Sequence, residues 1–137
     1  MGFVDAVRSG FRNSVNFDGR ASRSEYWWWG LFAILAYVAS VVIDNLIGTT
    51  FGPAMVGQWV LVGWVTIIVY LVILLPSLAV TIRRLHDADR SGAWWFVNFV
   101  PVIGELLFLY FLFVPGTPGP NQYGPPLGGQ KAAYSRV

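Results

Sequence analysis

The chain has 137 residues, of which 55% are hydrophobic, 17% aromatic and only 12% charged. An average soluble domain carries about 25% charged residues, so water is not the main solvent of this protein. The length allows several membrane-spanning helices of about 20 residues each, and we expect no soluble catalytic domain beside them. The sequence has no cysteine and one histidine, which excludes disulfides and argues against a transition-metal site.

The formal net charge is +2. The arginines form two groups beside apolar runs and do not alternate with exposed aromatic residues, a pattern that suits lipid headgroups better than nucleic acid. We therefore expect no metal, no cofactor and no nucleic-acid partner.

The N-terminal segment predicts an interfacial amphipathic helix over residues 3–15. Its apolar residues recur at about helical spacing: Phe3, Val4, Val7, Phe11 and Val15. No continuous apolar core of a signal peptide is present here. Because the stretch is short and contains Gly10 and Asn13, a loosely ordered polar arm is the alternative.

The first membrane span is predicted over residues 25–47. Ser22 and Glu25 fit a capping box, in which a hydroxyl and a carboxylate satisfy unpaired backbone donors, so a helix should start near Ser22. Three tryptophans, at positions 27–29, open the apolar run, and such rings favour the headgroup level.

A second apolar run covers residues 54–82. At 1.5 Å per residue it would reach roughly 40 Å, against a hydrocarbon core of about 30 Å, so it must tilt, kink or project from the membrane. Pro76 is the expected kink, and the last turns, with Arg83 and Arg84, are expected to project.

The distribution of arginines predicts the orientation. Arg8, Arg12, Arg20 and Arg23 precede the first span, and Arg83, Arg84 and Arg90 follow the second. The connection between these spans carries no Lys or Arg. The positive-inside rule therefore places the N-terminus and the arginine loop in the cytoplasm.

The third apolar run, residues 93–114, is interrupted by Pro101 and Gly104. A full third span would put the tail outside, whereas a re-entrant hairpin turning at residues 101–104 would return it to the cytoplasm. We prefer the span, because re-entrant backbone needs surrounding protein or a wet cavity. The predicted fold is thus an all-α integral membrane domain of residues 1–126 with three transmembrane helices, followed by a flexible tail, residues 127–137.

Several blocks of sequence carry a resemblance to a known family. They are residues 17–27 (FDGRASRSEYW), 75–80 (LPSLAV) leading into 83–87 (RRLHD), 90–92 (RSG) and 115–125 (PGTPGPNQYGP). In this order they resemble the DUF805 family of small bacterial inner-membrane proteins, over about residues 10–126. The resemblance implies a bacterial plasma-membrane location and no established activity, cofactor or substrate. Relatives usually have Gly where this chain has Asp89, and this difference puts in doubt only how tightly the loop turns.

The arginines of the two groups are the first candidate site. Those expected at one membrane face are Arg20, Arg23, Arg83, Arg84 and Arg90. One interpretation is topogenic charge with ion pairs to Glu25, Asp87 and Asp89. The other is a site for anionic lipid headgroups or a partner protein, since guanidinium groups bind phosphate through paired hydrogen bonds.

His86 and Glu105 are two further candidate sites. His86 beside Asp87 is weak as a general base or metal site, and we expect a structural role. Glu105 lies inside an apolar run, where a carboxylate needs a partner or water. It is expected either to hydrogen-bond to Thr66, Tyr70 or Asn98, or to contribute to an ion path across an oligomer.

The predicted function is that of a non-enzymatic accessory or interaction protein of the inner membrane, binding anionic lipid or a partner protein. It would act as a homo-oligomer or as a subunit of a membrane complex. The alternative is a small channel or transporter formed by homo-oligomerisation around Glu105. An enzyme acting on lipid phosphates is the third hypothesis.

Overall fold

The computed structural model describes residues 1–51 and 62–127. Its elements are α1 (Phe3–Arg12), α2 (Arg23–Ile47), α3 (Trp64–Asp87), a 3₁₀ helix (Gly92–Phe99) and α4 (Ile103–Phe113). Every named element in these two ranges is helical, beside isolated bridges between Thr50 and Gly63 and between Asn121 and Gly124. The all-α prediction is therefore confirmed for the described part of the chain.

The pair α2 and α3 forms the body of the molecule. The two helices have 25 and 24 residues, and an 18-residue stretch within each has a mean hydropathy of 2.0 and 2.6, respectively. At about 1.5 Å per residue each is long enough to cross a hydrocarbon core of about 30 Å. Helix α2 begins where the capping box predicts, because the Ser22 hydroxyl accepts a hydrogen bond from the Glu25 backbone N–H at 3.1 Å.

The second predicted span, 54–82, is only partly described by the structure, in which α3 begins at Trp64. Residues 54–61 of that prediction lie outside the described residues, and α3 continues past Ile82 to Asp87. Pro76 lies within α3, which runs through it as one helix. The Ser77 hydroxyl accepts a hydrogen bond from the Trp29 indole N–H at 3.0 Å, which ties α3 to α2 at this level.

Helix α1 packs across the first turns of α2 and ends at Arg12, three residues before the predicted end. Its buried residues are the small Ala6 and Gly10, whereas Val4 is 64% exposed. A Cβ atom added to Gly10 would lie 2.2 Å from the Trp29 ring. The face turned towards the bundle is thus defined by its smallest side chains, which allow a close approach to the indole.

The third apolar run folds back on itself as a helical hairpin. Rings of Trp94, near the start of the 3₁₀ helix, and Phe111, near the end of α4, are 5.2 Å apart. A Cβ atom on Gly104 would lie 1.9 Å from the Val97 carbonyl oxygen, so the two arms touch through backbone. Between them Val102 adopts a φ of 64°, and the Ile103 N–H donates to the Pro101 carbonyl across this γ-turn at 2.8 Å.

This hairpin does not confirm the preferred prediction of a third full span. Each arm is about 16 Å long, from 8 residues of 3₁₀ helix and 11 of α-helix, which is half the thickness of a hydrocarbon core. The physical reason is local: Pro101 lacks the N–H that a continuous helix needs, and Gly104 lets the arms meet. The chain therefore leaves and returns at the same end of the α2–α3 pair.

Candidate functional site

Three distant stretches meet at the end of the bundle where α2 begins and α3 ends. They are the segment before α2, the last turn of α3, and residues 115–124, here called the strap. Asp87 joins them: its two oxygens accept from Arg20 Nε at 2.8 Å and from Arg84 Nη1 at 2.5 Å. The three side chains are at most 1% exposed. A buried charge is tolerated only when paired and hydrogen-bonded, so this carboxylate depends on both guanidinium groups.

Arg84 also holds the C-terminal end of α4. Its guanidinium donates to the carbonyl oxygens of Leu112 at 3.2 Å, Ala21 at 3.4 Å, and Val114. The last carbonyls of a helix have no partner within the helix and carry the negative end of its dipole. The arginine thus closes the helical hairpin against α3 while it neutralises Asp87.

Arg20 fastens the strap across the bundle end. Its guanidinium donates to the carbonyl oxygens of Thr117 at 2.6 Å, Gly119 at 3.0 Å and Gly124 at 3.5 Å. The Thr117 N–H in turn donates to the Asp87 carbonyl at 2.9 Å. A single arginine therefore connects the N-terminal segment, α3 and the strap.

His86 lies at the edge of this network and makes packing contacts. Its Nδ1 is 3.1 Å from the Gly19 carbonyl, and its ring stacks on Tyr123 with 3.9 Å between centroids. The His86 carbonyl accepts from the Asn121 amide at 2.9 Å. The ring is thus held between the segment before α2 and the strap.

A second buried ion pair joins the helices beside this network. Arg83 Nη1 donates to Glu25 Oε1 at 3.0 Å, and the Ser9 hydroxyl donates to the same oxygen at 2.7 Å. The pair connects α1, α2 and α3. Arg83 Nε and Nη2 are buried without a hydrogen-bond partner among the described residues.

The predicted arginine group therefore divides in two. Arg20, Arg83 and Arg84 are at most 6% exposed and point into the protein. Arg23 and Arg90 are exposed, and both lie beside the end of α4. Arg23 Nη1 donates to the Phe113 carbonyl at 3.4 Å, and the Arg90 guanidinium lies 5.1 Å from the Phe111 ring centroid.

The loop between α3 and the hairpin is tight although Asp89 stands in it. Asp89 has a φ of 57°. Its N–H donates to the His86 carbonyl at 3.0 Å, and the Arg90 N–H donates to the Leu85 carbonyl at 2.9 Å. These two bonds form a Schellman motif, in which Asp takes the left-handed position that usually holds Gly.

Glu105 lies in the first turn of α4 and is exposed on the hairpin. Of the partners expected for it, Thr66 donates its hydroxyl to Asp44 at 2.7 Å and Asn98 donates its amide to the Trp95 carbonyl at 2.7 Å. Within residues 1–51 and 62–127, no hydrogen bond or ion pair of the Glu105 carboxylate is present.

Asp44, which no sequence pattern above singles out, is 0% exposed at the opposite end of the bundle. Its carboxylate accepts from Thr49 Oγ1 at 2.5 Å, Gly63 N at 3.1 Å, Val65 N at 3.0 Å, and Thr66 N and Oγ1 at 2.8 and 2.7 Å. It therefore caps α3 from α2. The signal was available, because an ionisable residue near the end of an apolar run needs a partner in the same way as Glu105.

The described residues contain no group of three or more His, Cys, Asp or Glu side chains that could hold a metal ion. Two helices long and apolar enough to cross a membrane, a shorter apolar hairpin and a buried charge network at one end are the features of a helical membrane protein.

Comparison with known proteins agrees with this class. The model of the family described as protein of unknown function (DUF805) matches residues 14–125. In Escherichia coli K12, the inner membrane protein YhaI is 41% identical over 113 residues, covering 82% of this chain and 86% of YhaI. The inner membrane protein YhaH is 40% identical over 115 residues, covering 83% and 88%. The uncharacterised protein YiiR is 30% identical over an alignment of 136 residues, covering 80% and 84%. No solved structure matches.

The chain belongs to the DUF805 family, which confirms the resemblance seen in the sequence. The matched range includes Arg20, Asp87 and the whole strap, so the buried network lies inside the family's domain.

Proposed function

We propose that the protein is a non-enzymatic accessory module of the bacterial inner membrane, which binds anionic lipid with the exposed arginines at its cytoplasmic end. The observation that carries the proposal is the division of the arginines. Arg20, Arg83 and Arg84 hold the bundle together from inside, while Arg23 and Arg90 face outwards at the same end. The groups that could do acid–base chemistry there, Asp87 and His86, are engaged in internal contacts.

The arginines also support the orientation. Arg8 and Arg12 on α1 are exposed and belong to the same end as Arg23 and Arg90, because α1 packs against the start of α2. A cytoplasmic location of this end follows the positive-inside rule and brings its cations to the anionic surface of the inner leaflet.

The hairpin fits a re-entrant position in the cytoplasmic half of the bilayer. Its outer surface is apolar, with Phe99 72% exposed, Val102 66% and Ile103 73% at the turn. Such a surface is costly in water and suits lipid tails. Within the two helical arms the backbone N–H and C=O groups bond to each other, as backbone groups in the hydrocarbon region must.

Native mass spectrometry of the protein gently extracted from its own membrane tests the proposal. We expect bound anionic phospholipid, on a monomer or on a defined complex with another membrane protein. A closed homo-oligomer without lipid or partner would contradict it.

The exposed carboxylate of Glu105 favours a second candidate function, a channel or transporter formed by several copies. A carboxylate on an apolar surface is expensive unless a neighbour or water meets it, and a second copy would supply that neighbour. Under this hypothesis Glu105→Gln abolishes proton flux into liposomes containing the protein. Wild-type liposomes that are no leakier than empty ones would exclude it.

A further inference from the structure

Arg90 is held in place without using the N–H groups of its side chain. Its backbone N–H closes the Schellman motif at the end of α3. Its guanidinium lies 5.7 Å from the Trp94 ring centroid and 5.1 Å from that of Phe111, within the range of cation–π contacts. Two rings therefore position the charge.

The donors of this guanidinium are available to a ligand. An arginine offers five N–H groups, and across the two described ranges the Arg90 side chain makes no ion pair and no hydrogen bond. Arg20 and Arg84, by contrast, each bond to Asp87 and to several carbonyl oxygens. Arg90 is thus an exposed cation held beside two rings, with its side-chain N–H groups unused within the described residues.

A shallow groove adjoins this cation. It is lined by Ser91, Ala93, Trp94 and Val97 and has a volume of about 240 Å³. Drug-sized ligands usually occupy pockets of about 300 Å³ or more, so this groove holds only part of a ligand. Trp94 forms one wall and also carries the cation–π contact with Arg90. Its lining combines Ser91, the residue after the arginine, with the apolar Ala93 and Val97 of the hairpin arm.

We propose that Arg90 and this groove form a binding site for one anionic phospholipid of the cytoplasmic leaflet. The inference rests on the proposed function, which places this end of the protein at that leaflet. The lipid phosphate bonds to the guanidinium fork, and the first part of an acyl chain lies along Ala93 and Val97. A lipid fits better than free phosphate because the groove beside the cation continues onto an apolar surface that faces the bilayer.

The test measures retained phosphatidylglycerol and phosphatidylcholine by native mass spectrometry of the full chain, titrated with each lipid in detergent. Arg90→Gln is compared with Arg12→Gln, a matched control that removes one exposed arginine from α1. We expect wild type to prefer phosphatidylglycerol and Arg90→Gln to bind it about tenfold more weakly. Arg12→Gln removes one surface charge but no part of the groove, so it should weaken binding by only about twofold. Ala93→Trp, which fills the groove and keeps the charge, should also weaken binding.

The outcomes separate this inference from the proposed function. If wild type shows no preference for the anionic lipid, lipid binding itself is wrong and both proposals fall. If wild type prefers phosphatidylglycerol but Arg90→Gln and Arg12→Gln weaken binding equally, the positive charges of this end attract lipid without a defined site. In that case only the Arg90 site is overturned. Unchanged binding by Ala93→Trp would show that the groove does not hold the lipid. Competition by glycerol 3-phosphate at equal concentration would show that the site recognises the phosphate group and not a lipid.

Discussion

Arg20 and Asp87 are 67 positions apart in the chain and form an ion pair of 2.8 Å with almost no exposure to solvent. The pair joins the segment before the first long helix to the end of the second. Because Arg84 shares the same carboxylate and Arg20 also holds the strap, this contact organises the whole end of the bundle.

Asp87→Asn is expected to lower the free energy of unfolding by about 3–5 kcal/mol, because it leaves two buried guanidinium groups without their carboxylate. Unfolding in mixed micelles of mild detergent and dodecyl sulphate, followed by tryptophan fluorescence, measures the change. Asp89→Asn is the control, since Asp89 is exposed and makes its motif through backbone. If Asp87→Asn lowered the free energy of unfolding no more than Asp89→Asn, the ion pairs of Asp87 would contribute little to stability.

Asp44→Asn is expected to cost at least about 3 kcal/mol, because an amide nitrogen replaces an oxygen that accepts from N–H and O–H donors in a fully buried position. Thr49→Val removes only one of the donors and should cost about 1.5 kcal/mol. The same unfolding assay ranks the two. If Asp44→Asn were no worse than Thr49→Val, the remaining donors would have found other acceptors and the cap would be dispensable.

Gly104→Ala tests the contact between the arms of the hairpin. Its Cβ would meet the Val97 carbonyl at 1.9 Å, so the arms must separate, at a cost of about 1–3 kcal/mol. Gly30→Ala in α2 is the matched control: its Cβ meets nothing within 4 Å, and alanine should stabilise the helix by about 1 kcal/mol. Melting temperatures in detergent should therefore move in opposite directions. A neutral Gly104→Ala would mean that the arms do not pack closely.

The hairpin, together with the positive-inside rule, predicts that the strap lies on the cytoplasmic side of the membrane. The natural chain has no cysteine, so single cysteines report location cleanly. Gln122→Cys, on the strap, should resist an impermeant maleimide in intact cells and react after lysis. Thr50→Cys, beyond the other end of α2, should react in intact cells. Labelling of both positions before lysis would favour a third full span.

Much of the fold could be predicted from the sequence, because its signals are local. Helix α2, Arg23–Ile47, covers the residues predicted as the first span, 25–47, because a capping box marks its start and a long apolar run follows. That it crosses the membrane stays a prediction. Helix α1 and the apolar character of α3 follow from periodicity and hydropathy in the same way. The family blocks could also be recognised, although nothing local indicates that they meet in space.

Only the tertiary structure decided which charges are internal. Arg83 and Arg23 look alike in sequence, yet one is buried against Glu25 and the other exposed at the end of α4. From hydropathy alone, residues 93–114 could form a span or a hairpin, whereas the structure brings the two arms together at Gly104 and Val97 as a helical hairpin. The physical reason is that helix formation depends on neighbours within a few residues, whereas burying a charge requires a partner that folding brings from far along the chain.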